Sequence, residues 1–204
     1  MTTASIPSRS SKLVKEWLPS VLLVLLLLVA RSTLADHYHV PSGSMERTLI
    51  PGDHVLVNKA AYGLRVPFTH RVWALASEPQ PGEVVIFDSP DSDVRLIKRV
   101  VAVGGDQVEL RRGHLMVNGK ALFSPDQPSV EIFGERTAEL NLDAGGGPDI
   151  KGMTVPEGHV LVLGDHRGRS HDGRFFGTIP VEEIYGRASA VFWRRDAGLE
   201  WHTL

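Results

Sequence analysis

The sequence predicts a mostly β body with antiparallel strands, set behind one strongly apolar N-terminal segment. Three observations carry that prediction. From residue 36 onward, short runs rich in Val, Ile and Leu with partial period-2 alternation are separated by Gly, Pro and Asp, the pattern of strands and turns. Windows with a 3.6-residue apolar period are missing outside the early run. Asn118-Gly119 follows an apolar run, as the dipeptide that closes a two-residue hairpin.

The first element is Trp17 to Ala30, WLPSVLLVLLLLVA, with Arg9, Lys12 and Lys15 before it and Arg31 after it. Its 14 charge-free residues fall short of the ~20 that a bilayer span needs. If Lys15 and Arg31 keep their stems in lipid and snorkel their charges outward, Leu13 to Ala35 becomes a span of about 23 residues. A cleavable signal peptide reads equally well from the same residues, with Thr33 and Ala35 as the small residues at −3 and −1. Either reading puts the remainder of the chain across a membrane. The basic residues ahead of the run favour a cytoplasmic N-terminus, a bias that Arg31 and Arg47 weaken.

Strands are then expected at His54 to Lys59, Glu83 to Asp88, Val94 to Val103, Gln107 to Arg112, Leu115 to Val117, His159 to Leu163 and Ala188 to Arg194. Ser124 to Gly152, with Pro125, Pro128 and Gly-Gly-Gly-Pro at 145–148, is expected to be a loop-rich insertion.

Composition narrows the function. A chain of 204 residues suits one domain with a real core, and 42% hydrophobic content argues against disorder. The 22 Lys+Arg against 24 Asp+Glu, net −2 and without a long basic run, argue against nucleic acid as a partner. Zero Cys removes disulfides, thiol nucleophiles, iron–sulfur clusters and thiolate zinc sites. Nine His are present without HExxH or comparable spacing, so no metal and no cofactor is assigned.

Three stretches hold residues suited to chemistry. Pro41 to Gly63 opens with Ser42-Gly43-Ser44-Met45. Gly43 allows backbone conformations closed to other residues and so presents a Ser with its N–H facing a substrate; alone, the same residues make an ordinary polar turn. In Val94 to Asp106, alternation puts Val94, Leu96, Lys98, Val100 and Ala102 on one face, with Lys98 the only polar group, and Arg95 and Arg99 on the other. Burial disfavours the charged amine, and a neutral amine can take a proton from a serine hydroxyl. Without a partner Ser, the same lysine snorkels at a sheet edge. In Gly164 to Pro180, Asp165, Arg167, Asp172 and Arg174 either pair with one another in a rigid turn or stand in a solvated loop. A Ser-His-Asp triad using His166 or His171 is the weaker alternative, because Ser44 is not in a G-x-S-x-G elbow.

Together these stretches resemble the ordered boxes of bacterial type I signal peptidase, a membrane-bound serine protease family. PSGSM followed by TL, GD, a Lys and YG resembles the nucleophile box; PGEVVIF the next strand box; LIKRVVAVGGD the lysine box; GDHRGRSHDGR the last box. The resemblance implies an antiparallel β-sheet catalytic domain of that type behind one transmembrane helix. It makes Ser44 the nucleophile and Lys98 the general base. Ser42 would supply an oxyanion-hole hydroxyl beside the Ser44 N–H, and Ser170 would orient the lysine amine. Asp165 with Arg99, and Asp172 with Arg174, correspond to structural ion pairs. Tyr38, Val40, Met45, Leu49, Ile86, Leu96 and Ile97 correspond to shallow pockets for small residues at −1 and −3 of the substrate, the Ala-X-Ala pattern.

With that resemblance the retained anchor becomes the expected reading. Residues 1–12 are then cytoplasmic, 13–35 span the inner membrane once, and 36–204 form the catalytic domain on the periplasmic side. The implied partners are the signal peptides of secretory preproteins, membrane phospholipids and a nearby export translocon; no oligomeric state is implied. Departures from the family pattern are Arg47, where Pro is usual, and His166, Gly168 and Arg169 in place of Asn, Asp and Asn. Other expectations are a pilin-maturing or conjugation peptidase of the same dyad class, and a non-catalytic membrane-tethered β binding domain. An autoproteolytic repressor shares the dyad but carries a helix-turn-helix where this chain has the apolar run.

Overall fold

One eight-stranded antiparallel sheet positions everything that follows. Its order is Ala35–His39, His54–Asn58, Ile184–Arg194, Val84–Asp88, Arg95–Val103, His159–Leu163 and Ile179–Pro180, with Gly198–Thr203 paired along Ile184–Arg194. The computed structural model describes residues 16–25, 28, 35–65, 72–75 and 77–204. A four-stranded sheet runs Ile150–Thr154, Gln107–Arg111, His114–Val117 and Lys120–Ala121; a three-stranded one joins Phe123–Ser124, Gln127–Phe133 and Arg136–Glu139; Gly63–Arg65 pairs with Val72–Leu75.

The mostly β, antiparallel expectation agrees with this architecture. The Asn118-Gly119 hairpin forms with φ of 52° and 75° at its two central residues, the left-handed pair that a type I′ turn requires. The segment expected to be loop-rich, Ser124 to Gly152, instead holds the hairpin Gln127–Phe133 with Arg136–Glu139. Its inward positions include Glu131, fully buried, and a carboxylate at a core position hides the alternation that marks a strand. Residues 16–25 are helical and exposed, and no described helix is long and apolar enough to cross a membrane. The expected cytoplasmic segment 1–12, and much of the expected span 13–35, lie outside the described residues.

The strand Arg95–Val103 is the hub of the core. Ile97 packs with Val40, Met45, Leu49, Val55, Ile86 and Val191. Val100 packs with Tyr62, Phe87, Val162 and Ile184, while Val101 and Ala102 join Leu110, Leu115, Phe133 and Leu161. Burying each such side chain contributes roughly 1.5–3 kcal/mol. Both faces of this central strand are covered, so alternation does not separate core from solvent along it. Lys98 and Arg99 point to opposite faces and are nevertheless 2% and 4% exposed.

Candidate active site

The nucleophile candidate stands on a tight turn. Gly43–Met45 forms one turn of 3-10 helix, closed by the Glu46 N–H donating to Gly43 O at 3.1 Å. Met45 and Leu49 plug the turn into the core at 0% exposure. An added Cβ at Gly43 would meet Glu46 Oε1 at 2.5 Å, the end of a partly exposed side chain that can swing aside. The residue with the unusual backbone is Arg47, at φ 88°, a value closed to the Pro usual at this position because its ring locks φ near −65°.

Lys98 reaches this turn from the neighbouring strand. Register pairs it with Val85, and its Nζ donates to Ser44 Oγ at 2.7 Å. Desolvation is the main influence on the amine and lowers its pKa to about 8, against the upward pull of Asp172 and Asp165 and with a smaller downward push from Arg174. With the amine neutral the contact reverses, the hydroxyl donating to the nitrogen lone pair. A buried hydroxyl touching an amine whose pKa is lowered toward neutrality is the arrangement that activates a weak nucleophile.

Three buried ion pairs brace the two residues. Arg99 Nε and Nη2 donate to Asp165 Oδ1 and Oδ2 at 2.9 and 2.7 Å, and Nη1 to Gly82 O at 2.7 Å. Arg174 grips Asp172 at 2.8 Å through both Nε and Nη2. Burial alone would raise the Asp172 carboxyl, but the Arg174 hydrogen bond and charge outweigh it and hold it below its ordinary range. The third pair was not legible: Arg167, expected to pair within its own stretch, bonds Glu131 at 2.6 and 3.1 Å, both side chains fully buried. Asp165 and Asp172 are already saturated by Arg99 and Arg174, so Arg167 reaches across to the hairpin.

The sequence reading also passed over Thr48. Its hydroxyl donates to Asp165 Oδ2 at 2.6 Å and accepts from Arg99 Nη2 at 3.0 Å, tying the Ser44 turn to the first pair. The signal was present in the TL that follows the serine box.

The remaining candidates divide. Tyr38, Val40, Met45, Leu49, Ile86 and Ile97 gather in one cluster beside Ser44, with the Tyr38 hydroxyl donating to Arg95 O at 2.8 Å. Leu96 does not join them; it packs with Phe87 and Val100, because neighbours on a strand point to opposite faces. Ser42 Oγ is 3.5 Å from Ser44 Oγ. Ser170 is 7% exposed, and its hydroxyl, which makes no hydrogen bond to Lys98 here, lies against Asp172 and helps to lower that carboxyl. Its Oγ and the Ser44 carbonyl both crowd the space where Gly164 would carry a Cβ. His171 is exposed and paired with Asp91 at 2.7 Å. No cluster of metal-ligating side chains occurs among the described residues.

The family model "Signal peptidase, peptidase S26" matches residues 14–193. A signal peptidase I of Pseudomonas fluorescens is 33% identical over 87% of this chain and 70% of its own length. Thylakoidal processing peptidase 1 of Arabidopsis thaliana is 35% identical over 80% of this chain and 43% of its own length. A solved signal peptidase I from Enterococcus faecalis V583 aligns at 30% identity with a TM-score of 0.40, over 55% of this chain and 98% of that one.

Proposed function

Because the chain belongs to the signal peptidase S26 family, we propose that it is a membrane-anchored serine endopeptidase that removes signal peptides from exported preproteins, with Ser44 as nucleophile and Lys98 as general base. The observation that carries the reading is the 2.7 Å contact between Lys98 Nζ and Ser44 Oγ in a desolvated site.

Ser44 Oγ attacks the carbonyl of the −1 residue as Lys98 takes its proton, and the ammonium then protonates the leaving amine. A water deprotonated by the same amine releases the acyl-enzyme. The Ser42 hydroxyl and the Ser44 N–H stabilise the oxyanion that develops in each half-reaction. Ser170 orients the amine once its hydroxyl turns toward it. Val40, Met45, Leu49, Ile86 and Ile97 are 0–3% exposed and form a shallow apolar floor, so only small residues fit at −1 and −3. Leu96 takes no part in that floor.

The apolar run from Leu13 serves as the retained single span and ends ahead of Ala35, which already pairs with Asn58 in the main sheet; residues 1–12 stay in the cytoplasm and the sheet domain acts on the outer face of the inner membrane, near lipid headgroups and the translocon. The deciding experiment is cleavage of a model preprotein by wild type, Ser44→Ala and Lys98→Ala, with mass analysis of the new N-terminus. Both variants are expected to lose cleavage; undiminished turnover by either ends the mechanism. The anchor is tested by alkaline extraction of membranes and N-terminal sequencing. A soluble chain beginning after Ala35 would make the apolar run a cleaved signal instead.

A further inference from the structure

The apolar floor beside Ser44 has two ends, and they differ. Past Ile97 in one direction the same strand face carries Arg99, locked to Asp165 and Thr48, so buried charge closes that end. In the other direction Ile86 and Ile97 are cross-strand partners, and Asp88 and Arg95 are the next pair on that face. On the edge strand Asp36 and Tyr38 point inward, in step with the fully buried Val40, while His37 and His39 are exposed. The floor of Val40, Ile86 and Ile97 therefore runs out into a polar rim.

One aromatic ring organises that rim. Tyr185 and Tyr38 both pack against the apolar cluster. The Arg95 guanidinium lies 4.0 Å from the centre of the Tyr185 ring and Lys59 Nζ 4.8 Å from it, so two cations rest on one ring. The Tyr38 hydroxyl donates to Arg95 O at 2.8 Å and fixes the root of that side chain. Two carboxylates stand nearby, and they are held unequally. Asp36 accepts from the Tyr185 hydroxyl at 2.6 Å and from the His37 N–H at 2.8 Å. Asp88 accepts from Arg95 Nε at 2.9 Å with its side chain 59% exposed. A pair so wet is weak, and an incoming acceptor can take the guanidinium from it.

An extended peptide puts every second side chain on one side, roughly 6–7 Å apart. With −1 beside Met45 and Leu49 and −3 over Val40, Ile86 and Ile97, −5 falls one step further on, at Arg95 and Tyr185. The Arg99 brace bars the opposite course.

We propose that Arg95, carried on Tyr185 with Lys59 beside it, forms a subsite for the −5 residue of the signal peptide, taking a hydrogen-bond acceptor or a carboxylate and turning away a cation or a large apolar side chain. The inference rests on the Ser/Lys reading and the pocket assignment above. The floor selects by volume; the rim selects by charge. A Leu at −5 strips water from the guanidinium and returns no hydrogen bond. A Lys there meets two like charges. The rim thereby sets how close to the cleaved bond the apolar stretch of a signal peptide can begin.

The test is kcat/KM for preproteins that differ only at −5, with Ala, Gln, Glu, Leu or Lys there, cleaved by the full chain and each taken relative to Ala. Wild type is expected to favour Glu over Lys by about tenfold and Gln over Leu by about fivefold. Arg95→Leu is expected to bring the Glu-to-Lys ratio within about twofold of unity and to lift Leu above Gln. Asp88→Asn, at an exposed site, removes the competitor for the guanidinium and is expected to widen the Glu preference by about threefold. Where Arg95→Leu melts like wild type it decides the matter; where it does not, Asp88→Asn does. Wild-type rates that are flat across the −5 set, or a ranking that the deciding variant leaves unchanged, overturn the subsite while the loss of cleavage in Ser44→Ala still stands. Cleavage that persists in Ser44→Ala overturns the Ser/Lys reading instead.

Discussion

Lys98 and Arg99 are consecutive residues on one strand, both buried, and they meet opposite electrostatic fates. Arg99 leaves water to be met by Asp165, Thr48 and the Gly82 carbonyl, so its charge is kept and fully bonded. Lys98 is met by a hydroxyl, so burial acts on it unopposed by a contacting carboxylate and pulls its pKa down to about 8. Desolvation is common to both; a partner with opposite charge in direct contact decides whether the cation survives it. One side of the strand is thus a permanent brace, the other a group poised to exchange a proton.

The largest expected break in this contrast is Lys98→Arg, which puts a permanent cation beside Ser44. Preprotein cleavage should fall by about a thousandfold or more while circular dichroism stays native; retained activity would mean that the neutral amine is not needed. Next comes Asp165→Asn, which leaves the Arg99 charge buried with half its partner gone. Denaturant unfolding should show a loss of about 3–5 kcal/mol, and an Arg99→Met, Asp165→Leu double variant should recover part of it.

The lysine side should show the reverse sign. Between about pH 8 and the ordinary lysine value of 10.5, the unfolded chain holds a proton that the folded chain has released, so stability rises with pH across that window. Below about pH 8 the whole desolvation penalty stands, on the order of 3 kcal/mol. Lys98→Met is therefore expected to be inactive yet more stable than wild type at pH 7, with the gap shrinking toward pH 10; equal stabilities at pH 7 would mean that burial does not strain the amine. The smallest effect belongs to the exposed Arg111–Glu109 pair, where Arg111→Ala should leave the melting temperature within about a degree.

What the sequence displayed follows from the same physics. Lys98 stood out because a charge on an apolar strand face contradicts its neighbours, and Ser44 because of the boxes around it. Glu131 and Arg167 were hidden: each reads as a solvated charge until the other is in place across 36 residues of chain. The edge strand Ala35–His39 was hidden too, since exposed Ala35, His37 and His39 alternate with half-buried Asp36 and Tyr38 and carry almost no apolar signal. The resemblance groups Leu96 with Ile97 as pocket residues, whereas strand alternation places them on opposite faces, and they pack in different clusters.

Gly164 marks the seam where the Ser44 turn meets the turn bearing Ser170, with no room for a side chain between them. That seam brings together segments from positions 44, 98 and 164–170, and the lysine is desolvated only once all three are packed. A chain emerging from the ribosome therefore carries a solvated lysine with its ordinary hold on the proton, and the lowered pKa belongs to the packed fold alone. On the proposed Ser/Lys chemistry, the tertiary fold itself is the activation step, and local opening at the seam would switch the site off again.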